Sequence, residues 1–295
     1  MRRILVTGRG GQLATGLEAA LPAQGFEAFL FGQPEFEFDQ PDTIAAAFAA
    51  ARPDAVVNCA AWTAVDAAEE QEAAAFMANA IGPALVARHC AALGIPLVQV
   101  STDYVFDGRK GAPYVEDDAP NPLGAYGRTK LAGEWAALAT NPRTIVMRTA
   151  WVYSPVGNNF LRTMLRVGAE RPVLRVVADQ QGSPTAAPDL ADAIAGVLAR
   201  VRDGGWQDQH RGVFHAVSGG FTTWHAFARA IFDAAAPLGG PRPEVQAITT
   251  ADYPTRAARP ADGRLDTSRL ATTFGVALPR WEQGLDRVTK ALLVP

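Results

Sequence analysis

Residues 3–16 read RILVTGRGGQLATG. The first five, RILVT, form a short continuous apolar run, the mark of a strand buried on both faces. A glycine cluster, Gly8-Arg9-Gly10-Gly11, follows at once. Then QLATGLEAALPAQG (12–25) has helical spacing and stops at Gly25. Gly8, Gly11 and Ala14 give G-x-x-G-x-x-A between strand and helix. Glycine lets a backbone turn tightly and approach a pyrophosphate, and a helix N-terminus presents free N–H groups. Ala14 is small enough for helix and strand to pack closely. The pattern predicts a dinucleotide cofactor held by Gly8, Arg9, Gly11, Gln12 and Leu13; the alternative is a plain tight turn.

Working outward, strands are predicted at 26–31, 54–61, 96–101 and 144–153. Helices are predicted at 41–53, 68–93 and 124–140. Alternation of this kind predicts an α/β fold, a Rossmann-type doubly wound parallel sheet. The second half is less regular. It reads as helix 157–171, a strand running into a turn-rich loop at 174–185, helix 187–201, strand 212–220 and helix 223–236. Periodicity fades over 237–264, and a helix closes the chain near 281–292. Residues 1–153 are therefore expected to form the cofactor-binding domain and to carry the catalytic residues. Residues 154–295 are expected to form a smaller, mainly substrate-binding α/β part, with some segments returning to the sheet.

Composition narrows the function. The 295 residues carry 27 basic and 30 acidic side chains, a formal charge of −3, so a basic footprint for nucleic acid or anionic membrane is missing. No apolar run approaches the roughly 18 residues of a membrane helix, and the apolar start is too short for a signal peptide; a cytoplasmic protein is expected. Cys59 and Cys90 offer neither a disulfide framework nor metal spacing. His89, His210, His215 and His225 do not read as a zinc set, and no metal is expected. Lysine occurs only at 110, 130 and 290 among the 27 basic residues, so each lysine invites a reason.

The second strand ends Leu30-Phe31-Gly32-Gln33, without the carboxylate that NAD-preferring sites place there for the ribose 2′-OH. Arg9 either faces a 2′-phosphate or is solvated. The expectation leans to NADPH, with NADH as the alternative. Asp39 and Gln40 are candidates for the adenine end, although Asp39 reads equally as a helix cap before Pro41.

In AYGRTK, Tyr126 and Lys130 stand four residues apart and share one helix face. A phenol titrates near 10 and is a poor acid–base group at neutral pH, but a nearby ammonium favours phenolate. Such a phenol can give a proton to a carbonyl oxygen as hydride reaches carbon. Ser101-Thr102, at the end of the fourth strand, offers a hydroxyl to orient the same oxygen. Individually, Tyr-x-x-x-Lys reads as a solvated helix face and Ser-Thr as a cap; the ordered set with the glycine loop points to catalysis.

This set resembles the extended short-chain dehydrogenase/reductase family. Longer strings narrow the resemblance: VNCAAWTAVDAAE (57–69), STDYVFDG (101–108), NPLGAYGRTKLAGE (121–134), RTAWVY (148–153), GNNF (157–160), DQQGSPT (179–185), TTWHAFA (222–228) and YPTRAARPADGRLDTSRL (253–270). They are similar to a branch that reduces the C4 ketone of a dTDP-linked 4-keto-6-deoxy sugar. The resemblance implies Thr102, Tyr126 and Lys130 as the catalytic set, with Lys130 also on the nicotinamide ribose. It implies Ala60, Ala61 and Trp62 along the cofactor, and Asp103 and Trp151 on the sugar together with Thr102 and Tyr126. Trp62 departs from the smaller or imidazole side chain usual there. A magnesium-bridged dimer is conceivable in the family, but no carboxylate cluster demands it; the chain is expected to be a monomer or homodimer. Asp66 and Glu69 either complement a helix dipole or meet substrate. Asn158, Asn159 and Phe160 cap a helix or touch substrate. Arg256 and Arg259 either clamp a diphosphate or are solvated. Rival readings are another nucleotide-sugar epimerase or reductase of the family, or a non-catalytic regulatory subunit with this fold.

Overall fold

The computed structural model describes residues 1–294. Five strands of the first half, β1 (Arg3–Thr7), β2 (Glu27–Phe31), β3 (Ala55–Asn58), β4 (Leu97–Thr102) and β5 (Thr144–Thr149), join the strand Gly212–His215 in one parallel sheet. The order across it is Gly212–His215, β5, β4, β3, β1, β2. The winding reverses between β1 and β3, so the crevice for a ligand opens at the carboxyl ends of those two strands.

The helices of the first half are α1 (Gln12–Ala23), α2 (Pro41–Ala51), α3 (Val65–Glu70), α4 (Glu72–Phe76), α5 (Gly82–Leu93) and α6 (Ala125–Thr140). Those of the second are α7 (Phe160–Glu170), α8 (Ala187–Gly204), α9 (Trp224–Ala235), α10 (Ser268–Phe274) and α11 (Trp281–Leu293). Both faces of the sheet are covered, which explains why its strands are apolar without alternation. Ile4 and Val6 pack with Leu17 and Leu21 of α1 and Ile194 and Leu198 of α8. Leu5 turns the other way, to Ile44 and Phe48 of α2 and Val86 and Cys90 of α5. Each fully buried aliphatic side chain contributes about 1.5–3 kcal/mol. A separate core joins Tyr153, Leu161, Phe227, Ile231, Trp281 and Leu285, welding α7, α9 and α11 together.

Several elements differ from the sequence reading. The helix expected over 68–93 is broken at Gln71 and widens into a π-helical turn at Met77–Ile81 before α5. The π-helical turn packs closely on α6: a Cβ on Gly133 would lie 1.9 Å from the Asn79 carbonyl, so the two backbones touch. The fifth strand ends at Thr149, because Trp151 takes a left-handed φ of 47° and Val152–Tyr153 pairs instead with Thr185–Ala186. The strand expected to run into a turn-rich loop at 174–185 is Val173–Val177, and the loop itself carries two short strands, Gln181–Gly182 and Thr185–Ala186, each of the three with a different partner. The supposedly irregular 237–264 holds a strand, Glu244–Ile248, parallel to Val173–Val177. Helix α10 had no sequence signal strong enough to announce it.

Candidate active site

At the carboxyl ends of the central strands a buried polar ladder crosses the sheet. Thr7 Oγ1 donates to Asn58 Oδ1 (2.5 Å) and accepts from the Ala60 amide (3.0 Å). Asn58 Nδ2 donates to Gln99 Oε1 (2.8 Å), and Gln99 Nε2 donates to the Val100 carbonyl (3.0 Å). Buried polar groups need such partners; here they also fix the ends of β1, β3 and β4 against one another.

The glycine loop sits on this ladder. Gly8 has φ 82°, and a Cβ there would lie 3.0 Å from the Ala60 amide nitrogen. The Gly11 amide donates to the Gly8 carbonyl (2.9 Å), closing the turn at the N-terminus of α1. Ala14 is buried against the sheet. The backbone cradle and the uncapped start of α1 fit a pyrophosphate. Leu13 turns its side chain into the core, so only its backbone faces the loop. Gln12 Oε1 accepts from Ser154 Oγ (3.0 Å) and Asn159 Nδ2 (2.9 Å), which ties the loop to the second half of the chain.

At the ribose end Arg9 is exposed and pairs with Glu35 at 2.5 Å. The absence of a carboxylate at the end of β2 is thus only local, since Glu35 folds back from four residues further on. Asp39 is exposed and does not cap α2; Gln40 is the residue before Pro41 and makes no side-chain cap bond, so the capping reading of Asp39 fails. Ala60, Ala61 and Trp62 form the rim after β3. Trp62 is pinned by Asn79, whose Oδ1 accepts from the Trp62 amide (2.9 Å) while its Nδ2 donates to the Trp62 carbonyl (3.1 Å). Asn79 Nδ2 also reaches Thr129 Oγ1 of α6 (3.1 Å).

Helix α6 brings the hydroxyl, phenol and ammonium together because glycine lets it approach. A Cβ on Gly127 would sit 2.2 Å from the Tyr104 carbonyl. The helix start is capped by Glu69, whose Oε1 accepts from the Ala125 amide (2.8 Å). Glu69 therefore serves this helix rather than its own. Ser101 and Thr102 face opposite ways, as strand neighbours must. Ser101 Oγ turns inward to Glu134 (2.5 Å), leaving Thr102 as the hydroxyl beside the Tyr126 phenol. Thr102 Oγ1 donates to Asp103 Oδ1 (3.1 Å) and accepts from the Tyr104 amide (3.2 Å).

The electrostatics differ from expectation. Burial pushes the Tyr126 phenol up to about 12, with the Thr102 hydroxyl working against it. The Lys130 ammonium does not pair with the phenol; it donates to the Val100 carbonyl (2.7 Å). Burial pulls Lys130 down to about 8. Burial raises Asp103 to about 7, against the hydrogen bond from Thr102. A phenol held neutral is a proton donor, the state a ketone reduction needs.

The second half builds the wall opposite. Trp151 stacks on Trp224, which lies in the predicted helix 223–236 and is not among the sequence-predicted site residues. Gly263 lies against the Asp103 carboxylate. Asp66 takes Arg259 bidentately (2.7 and 2.9 Å) and the Ala257 amide (3.0 Å), so Arg259 closes the late loop onto α3. Arg256 is exposed and pairs with Glu70 (2.8 Å). Asn159 caps α7, its Oδ1 accepting from the Arg162 amide (3.1 Å). Among the described residues no group of three or more His, Cys, Asp or Glu could hold a metal ion, and no helix is long and apolar enough to cross a membrane.

Fold and cluster together define a Rossmann-type reductase scaffold of the short-chain dehydrogenase/reductase kind. Residues 1–294 match the family described as RmlD substrate binding domain, and the chain belongs to that family. It is 41% identical to the dTDP-4-dehydrorhamnose reductase of Sinorhizobium fredii over 99% of this chain and 98% of that one. It is 40% identical to the dTDP-4-dehydrorhamnose reductase of Salmonella typhimurium over 97% and 96% of the two chains. A crystal structure of the Bacillus anthracis dTDP-4-dehydrorhamnose reductase in complex with NADP superimposes with a TM-score of 0.89, at 33% identity, over 98% of this chain and 99% of that one.

Proposed function

We propose that this chain reduces the C4 ketone of dTDP-6-deoxy-L-lyxo-4-hexulose to dTDP-L-rhamnose with NADPH, the last step of dTDP-rhamnose synthesis. The observation that carries this reading is identity near 40% along the whole chain to reductases of that name, with Thr102, Tyr126 and Lys130 gathered at the crevice. The NADP held by the Bacillus anthracis relative supports the cofactor; a 2′-phosphate would have to draw the Arg9 guanidinium from Glu35.

NADPH supplies hydride to the face of C4. The chain's residues do the rest. Thr102 turns its hydroxyl proton from Asp103 Oδ1 to the ketone oxygen and holds that oxygen towards Tyr126. The Tyr126 phenol, kept neutral by burial, gives its proton to that oxygen as negative charge develops there. The resulting phenolate is stabilised through space by the positive charge of Lys130, whose ammonium stays on the Val100 carbonyl and also holds the nicotinamide ribose. Asp103 and Trp151 position the sugar. The glycine loop and the start of α1 hold the pyrophosphate.

The decisive experiment is NADPH oxidation with enzymatically prepared dTDP-linked 4-keto-6-deoxy-L-sugar, with the product identified. Formation of dTDP-L-rhamnose is the expected result. Faster turnover of a GDP-linked ketosugar, or C4 epimerisation without net NADPH consumption, would replace the reading by one of its family rivals. Absence of turnover with intact NADPH binding would favour a regulatory subunit.

A further inference from the structure

Beneath the reacting groups lies a network that the chemistry above does not use. Glu134 is one helical turn after Lys130 on α6 and is only 1% exposed. Its carboxylate takes Arg148 of β5 bidentately (2.9 and 2.7 Å) and accepts from Ser101 Oγ of β4 (2.5 Å). Arg148 is itself 2% exposed and stands directly beside Ser101 in the sheet register. One carboxylate thus clamps the helix that carries Tyr126 and Lys130 to the residue just before Thr102.

We propose that Glu134 is a positioning residue for Lys130: it locks α6 to the ends of β4 and β5 and supplies the negative charge that faces the buried ammonium.

The surroundings of Lys130 leave that charge little competition. From β4 it meets the Val100 carbonyl, which orients the ammonium but carries no net charge. After β3 it meets Cys59, whose thiol burial pushes up to about 12, so it stays neutral at working pH. On α6 the phenol of Tyr126, one turn earlier, is neutral as well. Asp103, after β4, faces Thr102 and Tyr126. Arg148 of β5 is paired with Glu134 itself and balances part of its charge, so what reaches Lys130 is the share left by the nearer position of the carboxylate on α6. Burial pulls the ammonium down to about 8, and the Glu134 carboxylate is the larger of the two opposing influences. Without it, a desolvated lysine loses its proton within the neutral range.

The test exploits the scarcity of lysine. With three lysines in the chain, Cε-carbon-13 lysine labelling gives three titrating signals in the cofactor-free protein, and Lys130→Met identifies the relevant one by its loss. The wild-type midpoint is expected near 8. In Glu134→Gln it should fall by about one pH unit. Where that variant does not fold, Glu134→Gln with Arg148→Gln removes the carboxylate without leaving a lone buried guanidinium; a positive charge goes with it, so the midpoint should still fall, but by less. An unmoved midpoint in the folded variant overturns the proposal. Its consequence for turnover rests on the proposed reduction: the alkaline limb of kcat should move down with the lysine, whereas a structural role alone lowers kcat at every pH. A wild type that binds NADPH yet reduces no dTDP ketosugar, with a midpoint that still moves, rejects the functional reading and supports this one.

Discussion

The indoles of Trp151 and Trp224 lie face to face, ring centroids 3.5 Å apart and planes within 9°. Trp151 holds the left-handed φ of 47°, a conformation that costs a non-glycine residue on the order of 1–3 kcal/mol. Gly182 makes room for its edge, where a Cβ would sit 2.5 Å from Cε2. Stacking therefore holds in one place a side chain carried on strained backbone. Trp224→Ala should raise KM for the sugar nucleotide about tenfold while NADPH affinity stays near wild type; an unchanged KM would remove Trp151 from the substrate wall.

Tyr126→Phe keeps the ring and its edge-on contact with Tyr104 but removes the proton. Turnover should drop by roughly 10²–10⁴, with NADPH binding, followed by fluorescence, nearly intact. Lys130→Arg should be severely impaired too, because a planar guanidinium does not replace a compact ammonium on the Val100 carbonyl.

Two groups set the pH behaviour. Lys130 is charged below about 8 and loses its proton as pH rises through that value, so kcat should fall on the alkaline side. Asp103 is raised to about 7 by burial, so the folded state favours its neutral form. Its contribution is complete below the ordinary carboxyl range near 4 and is lost as pH rises towards 7. Thermal melts of wild type and Asp103→Asn at pH 5 and pH 8 check this: the wild type should lose more Tm between the two, and equal losses would contradict it.

Glycine in a helix interior normally costs about 1 kcal/mol against alanine. Gly133 and Gly127 reverse that sign, because a Cβ would meet the Asn79 carbonyl at 1.9 Å and the Tyr104 carbonyl at 2.2 Å. Gly133→Ala should destabilise by about 1–3 kcal/mol through overpacking. Gly196→Ala in α8, whose nearest neighbour is Val276 Cγ2 at 3.4 Å, should be neutral or stabilising by up to about 1 kcal/mol. Urea melts of the two variants read the difference directly.

Local chemistry explains what was legible in the sequence. The run RILVT, the glycines at 8 and 11, and the four-residue step from Tyr126 to Lys130 carry their meaning in neighbouring positions. What escaped depends on residues far apart in the chain. Glu69 caps a helix 56 positions later, Arg259 reaches Asp66 across 193, and the π-turn at Met77–Ile81 packs against a glycine on another helix. Trp224 reads as one more apolar residue until it is stacked on Trp151. Burial raises the Tyr126 phenol in the free protein while the ammonium of Lys130 is bonded to the Val100 carbonyl, a pairing that the four-residue step from Tyr126 does not reveal.

The strand Gly212–His215 bears on how the protein is made. The outer side of β5 is covered only by Gly212–His215, which lies beyond α8 in the chain, so a chain cut short before that strand would leave β5 as a raw edge. Exposed edges are templates for mispairing. The two halves are therefore not interchangeable cassettes: a chimera joined after residue 153 would inherit its outermost strand from the donor. Its success would hinge on whether that foreign strand fits alongside Ile145, Val146, Met147 and Arg148.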